Sequence, residues 1–375
     1  MEWVSTAKSS LEVHSTLVEL LLLLLAAVSA LLLRRRAVIS AAKRPPGPRA
    51  WPVIGHLHLL GQLPHQSLCK LAQIYGPLMG LRLGGVHVIV VSTPEMAKEI
   101  LQTNEQAFLD RPRSTAVIHM YLGGKGVSFE AYGPRWKRMR QLCATELFSA
   151  KRLASFRYVR EEEVRELARA MVEKGQQGQR EVEPRASLLT ASNNITCRMM
   201  MGKKVGDVQQ LYGRHADLNR LIDELLRLLG IFYVGDFIPW LSWLDPRHEL
   251  QSMKATGVQA KALMQQIIEE RRHIQPPRAS PQDFLDVLLA ACADPNNATP
   301  LTEENIVGLI LDFFAAGSDS SSIAVEWALA NLINNPIAMH KLHEELDLVV
   351  GKERLVVESD IKNLPYLRSV MQESM

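Results

Sequence analysis

The chain has 375 residues, 47% hydrophobic and 22% charged, with a formal net charge of +3. That length is enough for a large buried core, in one big domain or two. The basic excess is local: Arg34, Arg35, Arg36, Lys43 and Arg44 fall in one window without an acid, and setting those five aside from the 43 Lys and Arg leaves 38 against 40 acidic residues. A body so near neutrality argues against a nucleic-acid partner. The four cysteines, Cys69, Cys143, Cys197 and Cys292, are far apart with no C-x-x-C pair. They suggest neither a disulfide scaffold nor a zinc site and fit a reducing compartment.

After a tail at 1–16, residues 17–36 read as a membrane anchor. Leu17 to Leu33 is apolar but for Glu19 and Ser29, slightly short for a full span and extendable at both ends. A cleaved signal peptide would carry its basic cluster before the apolar run, not after it. Acids precede the run and three arginines follow it, so the positive-inside rule places the body in the cytosol. Residues 37–55 form a basic, proline-rich hinge, stiff and extended through Pro45, Pro46, Pro48 and Pro52.

Leu78–Leu83 and Val86–Val91 alternate partly around Gly84-Gly85 and predict a β-hairpin. Thr93-Pro94-Glu95 predicts a capped helix start. Everything later reads as helix, so the expected fold is mainly α with a small N-terminal β-sheet. Gly123-Gly124-Lys125-Gly126 lacks the spacing of a phosphate loop and reads as a flexible loop. His56, His58 and His65 lie in a loop-like segment without matching acids or cysteines and read as solvated or packing histidines. The sequons at Asn194 and Asn297 should stay unmodified in a cytosolic body.

Tyr132-Gly133-Pro134 opens a helix on which Trp136 and Arg140, four residues apart, share a face. An indole N–H and a guanidinium together suit a carboxylate; a surface cation–π pair has the same spacing. Further on, a long helical pattern runs from Thr302, a plausible N-cap, to Asn335, with Pro336 as its stop. Its apolar sides imply burial. Its middle nevertheless carries Ala316-Gly317-Ser318-Asp319-Ser320, where a glycine and a run of hydroxyls loosen a helix. One reading is a surface kink with its serines in water. The other is a groove in a core helix that aims an acid and an alcohol at a ligand. A last helix starts at Asn363-Leu364-Pro365, with Asn363 as its cap and Pro365 in its first turn, and carries Glu373.

Ala316-Gly317-Ser318-Asp319-Ser320 resembles the oxygen-binding motif in the central helix of the haem-thiolate monooxygenases, the cytochromes P-450. Trp136-x-x-x-Arg140, Phe108-Leu109-Asp110-Arg111-Pro112, the stretch Leu147 to Leu153 and Gly235 to Trp240 resemble the plant microsomal group, nearest the flavonoid 3′-hydroxylases. The resemblance implies a cytochrome P-450 fold over 56–375, incomplete at the C-terminus, since the loop that supplies the iron's cysteine is not among these residues. It implies haem as cofactor, contacted by Trp136 and Arg140 at a propionate, with Ala316 and Gly317 leaving room for oxygen. It makes Asp319 and Ser320 the acid–alcohol pair that relays protons, and Glu373 the first residue of a structural Glu-x-x-Arg. It also implies electrons from NADPH through a reductase, a small apolar or phenolic plant metabolite as substrate, and an endoplasmic reticulum membrane location. Without the cysteine ligand, the chain as written is expected to be inactive. A non-catalytic, membrane-tethered helical fragment or partner-binding protein is the alternative.

Overall fold

The computed structural model describes residues 45–176, 183–213, 217–273, 283–293 and 299–375. The expected anchor at 17–36 and the hinge before Pro45 lie outside the described residues. The chain divides into two units, Met1–Glu105 and Gln106–Met375.

In the first unit, helix α1 (Pro64–Tyr75) begins with Pro64 in its first turn, where a missing N–H costs nothing. Strands β1 (Leu78–Leu83) and β2 (Val86–Val91) pair antiparallel, with Leu78 opposite Val91 and Leu83 opposite Val86. Gly84 turns the chain at φ +58°, a conformation that glycine adopts without a Cβ penalty. Burial alternates on β1 only, at Met79 and Leu81. His56 ties the proline stretch to this hairpin: its Nδ1 accepts from the Arg82 amide at 2.7 Å and its Nε2 lies 2.9 Å from the Pro48 carbonyl. Helix α2 (Pro94–Lys98) is capped by Thr93, whose hydroxyl accepts from the Met96 amide.

The second unit is helical. Its elements are α3 (Thr115–Met120), α4 (Pro134–Leu142), α5 (Ala150–Ser155), α6 (Arg157–Gln176), α7 (Arg185–Met201), α8 (Val205–Tyr212), α9 (Leu218–Leu229), α10 (Val234–Phe237), α11 (Glu249–His273), α12 (Phe284–Ala293), α13 (Glu303–Gly317), α14 (Asp319–Asn334), α15 (Pro336–Val349) and α16 (Pro365–Ser374). The hub is α7, which packs against α6, α12, α13 and α14. One buried cluster runs through α7, α12 and α13 and includes Cys197, Met201, Phe284, Ile306, Leu309 and Phe314. The α6–α7 contact also holds Glu163, nearly fully buried, which is bound by Arg198 at 2.7 Å and by the Asn194 side-chain amide at 2.9 Å. A buried charge persists only when it is satisfied in this way.

The long central helix is real but is interrupted once, at Ser318, between α13 and α14. Its start is as expected: the Thr302 hydroxyl accepts from the Asn305 amide, and the Asn305 side chain accepts from the Thr302 amide. The last helix departs from expectation. Pro365 sits in its first turn, but Asn363 does not cap it. Glu345, on α15, does so from outside, accepting from the Tyr366 and Leu367 amides at 2.8 and 2.9 Å.

Candidate functional site

At the interruption, Ser318 keeps helical angles, φ −82° and ψ −70°, so the chain bends rather than turns away. Three serines explain the loosening. Ser318 donates to the Phe314 carbonyl at 2.6 Å, Ser320 to Ala316 at 2.6 Å and Ser322 to Ser318 at 3.1 Å. Each hydroxyl competes with the helix for a carbonyl one turn back. The serines of the run divide between core and solvent. Ser318 and Ser322 are buried, whereas Ala316 and Ser320 are exposed, one turn apart on the same face.

Gly317 has a packing reason for lacking a side chain. A Cβ there would lie 2.7 Å from the Thr196 hydroxyl on α7, and the Gly317 carbonyl accepts from Ser192 of the same helix at 2.7 Å. The glycine thus seats the interruption against the hub. Asp319 is not a buried acid. Its carboxylate lies 3.8 Å from the Arg185 guanidinium, which also meets Glu326 at 3.1 Å, and all three side chains are partly in solvent. Such a pair adds little stability.

The buried acid of this helix is Asp312, 4% exposed, which sequence reasoning passed over. Oδ2 accepts from the Ser128 amide at 2.9 Å, while Oδ1 has no partner among the described residues. Burial pushes the carboxyl up from 3.8 to about 6, against hydrogen bonds from Ser128 and Val127 that pull it down. Burial likewise raises the Tyr121 phenol, with the Asp312 charge adding to the effect.

The loop expected to be flexible is held firmly to this helix. Asn305 Nδ2 donates to the Lys125 carbonyl at 2.8 Å. Gly126 and Gly308 meet backbone to backbone, so that a Cβ on Gly308 would fall 2.6 Å from the Gly126 nitrogen. At the loop's other end the Trp136 indole N–H donates to the Val127 carbonyl at 2.9 Å. That donor is therefore committed within the protein. Arg140 stacks its guanidinium over the Trp136 ring at 5.4 Å, is exposed, and meets no carboxylate among the described residues. Trp136 and Arg140 do share a face, as their spacing requires. Glu373, on α16, is exposed and forms no ion pair among the described residues. The structure thus brings Ala316, Gly317, Asp319 and Ser320 together at one bend, and joins Trp136 to the same helix through the loop.

The sequence pattern of the cytochrome P450 family matches residues 45–375. The chain belongs to the cytochrome P450 family. Among curated plant P450 relatives, it is similar to the flavonoid 3′-monooxygenase of Petunia hybrida, 38% identical over 337 residues that cover 88% of this chain and 64% of the relative. It is similar at the same identity to the 3,9-dihydroxypterocarpan 6A-monooxygenase of Glycine max, over 88% of this chain and 66% of the relative. The flavonoid 3′,5′-hydroxylase of Solanum melongena is 37% identical, over 88% and 64%. The chain thus spans about two thirds of the length of these relatives.

A haem asks three things of a P450 chain: donors for its carboxylates, a helix face it can lie against, and a thiolate for its iron. The free guanidinium of Arg140 meets the first, and the open turn at Ala316 and Ser320 the second. Burial works against the third at Cys143, Cys197 and Cys292. Cys143 and Cys197 are buried in the core and their thiols are pushed up by burial, Cys143 to about 12. Cys292, half-buried on α12, is also raised by burial. Cys69 is exposed on α1, in the other unit. A ligand thiolate needs the opposite environment, one that lowers the thiol pKa.

The helix Glu303–Asn334 is the one among the described residues long and apolar enough to cross a membrane, and over half of its most apolar stretch is buried within the protein. The buried part lies mainly in α13, where Ile306, Leu309, Ile310 and Phe314 join the core.

Proposed function

We propose that this chain forms the larger part of an NADPH- and O2-dependent haem monooxygenase that hydroxylates a small apolar or phenolic plant metabolite. Its body faces the cytosol, anchored in the endoplasmic reticulum membrane by residues 17–36. The observation that carries this reading is the bend of the central helix, where Ala316 and Ser320 present an open turn beside Asp319 in a chain of the P450 family. The substrate class follows the relatives, whose names specify flavonoids and a pterocarpan.

When bound through a cysteine thiolate, haem supplies the electron density that favours O–O cleavage. The residues of this chain have other tasks. Arg140 offers a charged donor to a haem carboxylate, with Trp136 holding it in place by stacking. Ala316 keeps side-chain bulk off the exposed turn, and Gly317 lets the bend sit close against α7. The Ser320 hydroxyl donates to Ala316 and keeps its oxygen free as an acceptor for a proton in transit. Asp319, beside Arg185, holds the negative charge that draws the proton inward. Electrons arrive from NADPH through a reductase.

The test uses this chain fused to the C-terminal third of the Petunia relative. Ser320→Ala should slow product formation by about 10²-fold or more, the usual contribution of one proton-transfer group, and lower product formed per NADPH with it. Ser320→Thr, which keeps the hydroxyl and restricts its rotation, should match or improve coupling. Unchanged coupling in Ser320→Ala would remove Ser320 from the proton path. The burial of Cys143 and Cys197 favours a second reading for the 375-residue chain alone, a non-catalytic membrane-tethered protein that occupies a reductase or another partner. The haem content of the purified chain separates the two.

A further inference from the structure

We propose that Asp312 is a positioning residue that clamps the loop Gly123–Phe129 onto the central helix and thereby fixes the indole of Trp136. Three contacts make one continuous path. Asp312 Oδ2 accepts from the Ser128 amide at 2.9 Å, the neighbouring Val127 carbonyl accepts from Trp136 Nε1 at 2.9 Å, and Trp136 carries Arg140 on its ring at 5.4 Å. A second tether, Asn305 Nδ2 to the Lys125 carbonyl at 2.8 Å, holds the other side of the loop. Between the tethers the Gly126 and Gly308 backbones touch, with Asp312 Oδ2 only 2.1 Å from where a Gly126 Cβ would stand. Asn305, Gly308 and Asp312 recur at helical spacing, so one stripe of α13 carries the whole clamp. The loop lies about 180 residues away in sequence, and α4, with Trp136 and Arg140, follows directly from it.

The clamp also responds to protons. Closing the loop buries a carboxyl whose Oδ1 finds no partner among the described residues. Opening it returns the carboxyl to water, where its affinity for a proton falls toward the ordinary value. Linkage then requires that protonation favour the closed loop. The other titratable groups facing Asp312 are Tyr121, at the end of α3, and Cys143, after α4; both are pushed up by burial and stay neutral throughout the range in question. Among the described residues, no basic side chain acts on Asp312 to offset its burial.

The significance of the clamp for haem rests on the reading of Trp136 as a haem-edge residue, but the clamp itself is measurable without haem. The full chain in detergent is compared with Asp312→Asn and Asp312→Ala by hydrogen exchange at the amides of 125–129, normalised for intrinsic rate, and at the Trp136 indole N–H, identified with Trp136→Phe. In the wild type, protection should rise about fourfold between pH 7.5 and pH 5.5, following the linkage above. Asp312→Asn keeps an acceptor for the Ser128 amide and carries no charge, so its protection should be high and independent of pH. Asp312→Ala should lose protection at both the loop and the indole. Equal protection in wild type and Asp312→Ala would overturn the proposal. Protection that does not change with pH in the wild type would also overturn it, and that measurement needs no variant to fold. The haem-edge reading has its own test, haem retention in the fused chain. If Asp312→Ala opens the loop yet haem retention is unchanged, the clamp stands and the role of Trp136 at the haem falls.

Discussion

Asp312 places an ionisable carboxyl among apolar side chains at 4% exposure, and its balance of burial against two amide bonds favours the neutral form up to about pH 6. The ordinary value is 3.8, so the folded chain binds this proton more tightly than the unfolded one. The contribution to stability is therefore fully favourable below about pH 4, and it declines as pH rises through the interval to about 6. Above that, the ionised group costs on the order of 2–3 kcal/mol. Denaturant titrations of the wild type and Asp312→Asn should diverge across this interval, with the wild type losing more stability toward pH 7. Parallel curves would show that Asp312 is not titrating in the fold. The sequence drew attention to Asp319 because it stands among hydroxyls, and Asp319 proves to be a partly solvated ion-pair partner. Asp312 carried a subtler signal: with Asn305 and Gly308 it makes a polar stripe on an otherwise apolar helix. The stripe was legible, but its partner loop was not, because nothing local ties residues 123–129 to a helix so far along the chain.

Elements with local causes were readable in advance. The hairpin pairs two runs joined directly at Gly84-Gly85, the Thr93 and Thr302 caps depend on residues within three positions, and each forms as its sequence dictates. Elements with distant causes were not. The loop at 123–126 has a composition suited to flexibility and is held by Asn305 and Asp312 from elsewhere. The start of α16 lacks a cap of its own because Glu345 reaches it from the preceding helix, with both carboxylate oxygens engaged. This contact joins α15 to α16, and α16 to α14 by packing. Glu345→Ala should therefore cost about 1–2 kcal/mol, the usual range for loss of a charged N-terminal cap. The loss should appear first as faster hydrogen exchange at Tyr366 and Leu367, with α7 unaffected. Exchange that changes nowhere near α16 would reduce the contact to a surface pairing.

At the largest scale, the helical unit Gln106–Met375 is well packed around some helices and not around others. The hub helix α7 is surrounded, whereas α14 and α15 carry Trp327, Ile333, Ile337 and Leu348 at 61%, 69%, 77% and 87% exposure. So large an apolar area in open water invites association, and it lies on the helices that follow the bend. The relatives extend well beyond the length that this chain spans. A segment that supplied an iron-binding cysteine and apolar surface against those helices would change both properties together. The 375-residue chain alone should show no thiolate-type Soret band when reduced under carbon monoxide, because Cys143 and Cys197 are buried as neutral thiols. It should also bind a hydrophobic dye strongly. Fusion to the C-terminal third of the Petunia relative should produce the thiolate-type band and reduce dye binding in the same preparation. A thiolate-type band from the unfused chain, with NADPH-dependent product, would prove the cysteine argument wrong. Dye binding that persists in a fused chain with the correct band would mean that α14 and α15 face something else, and would turn attention to the membrane or the reductase as what covers them.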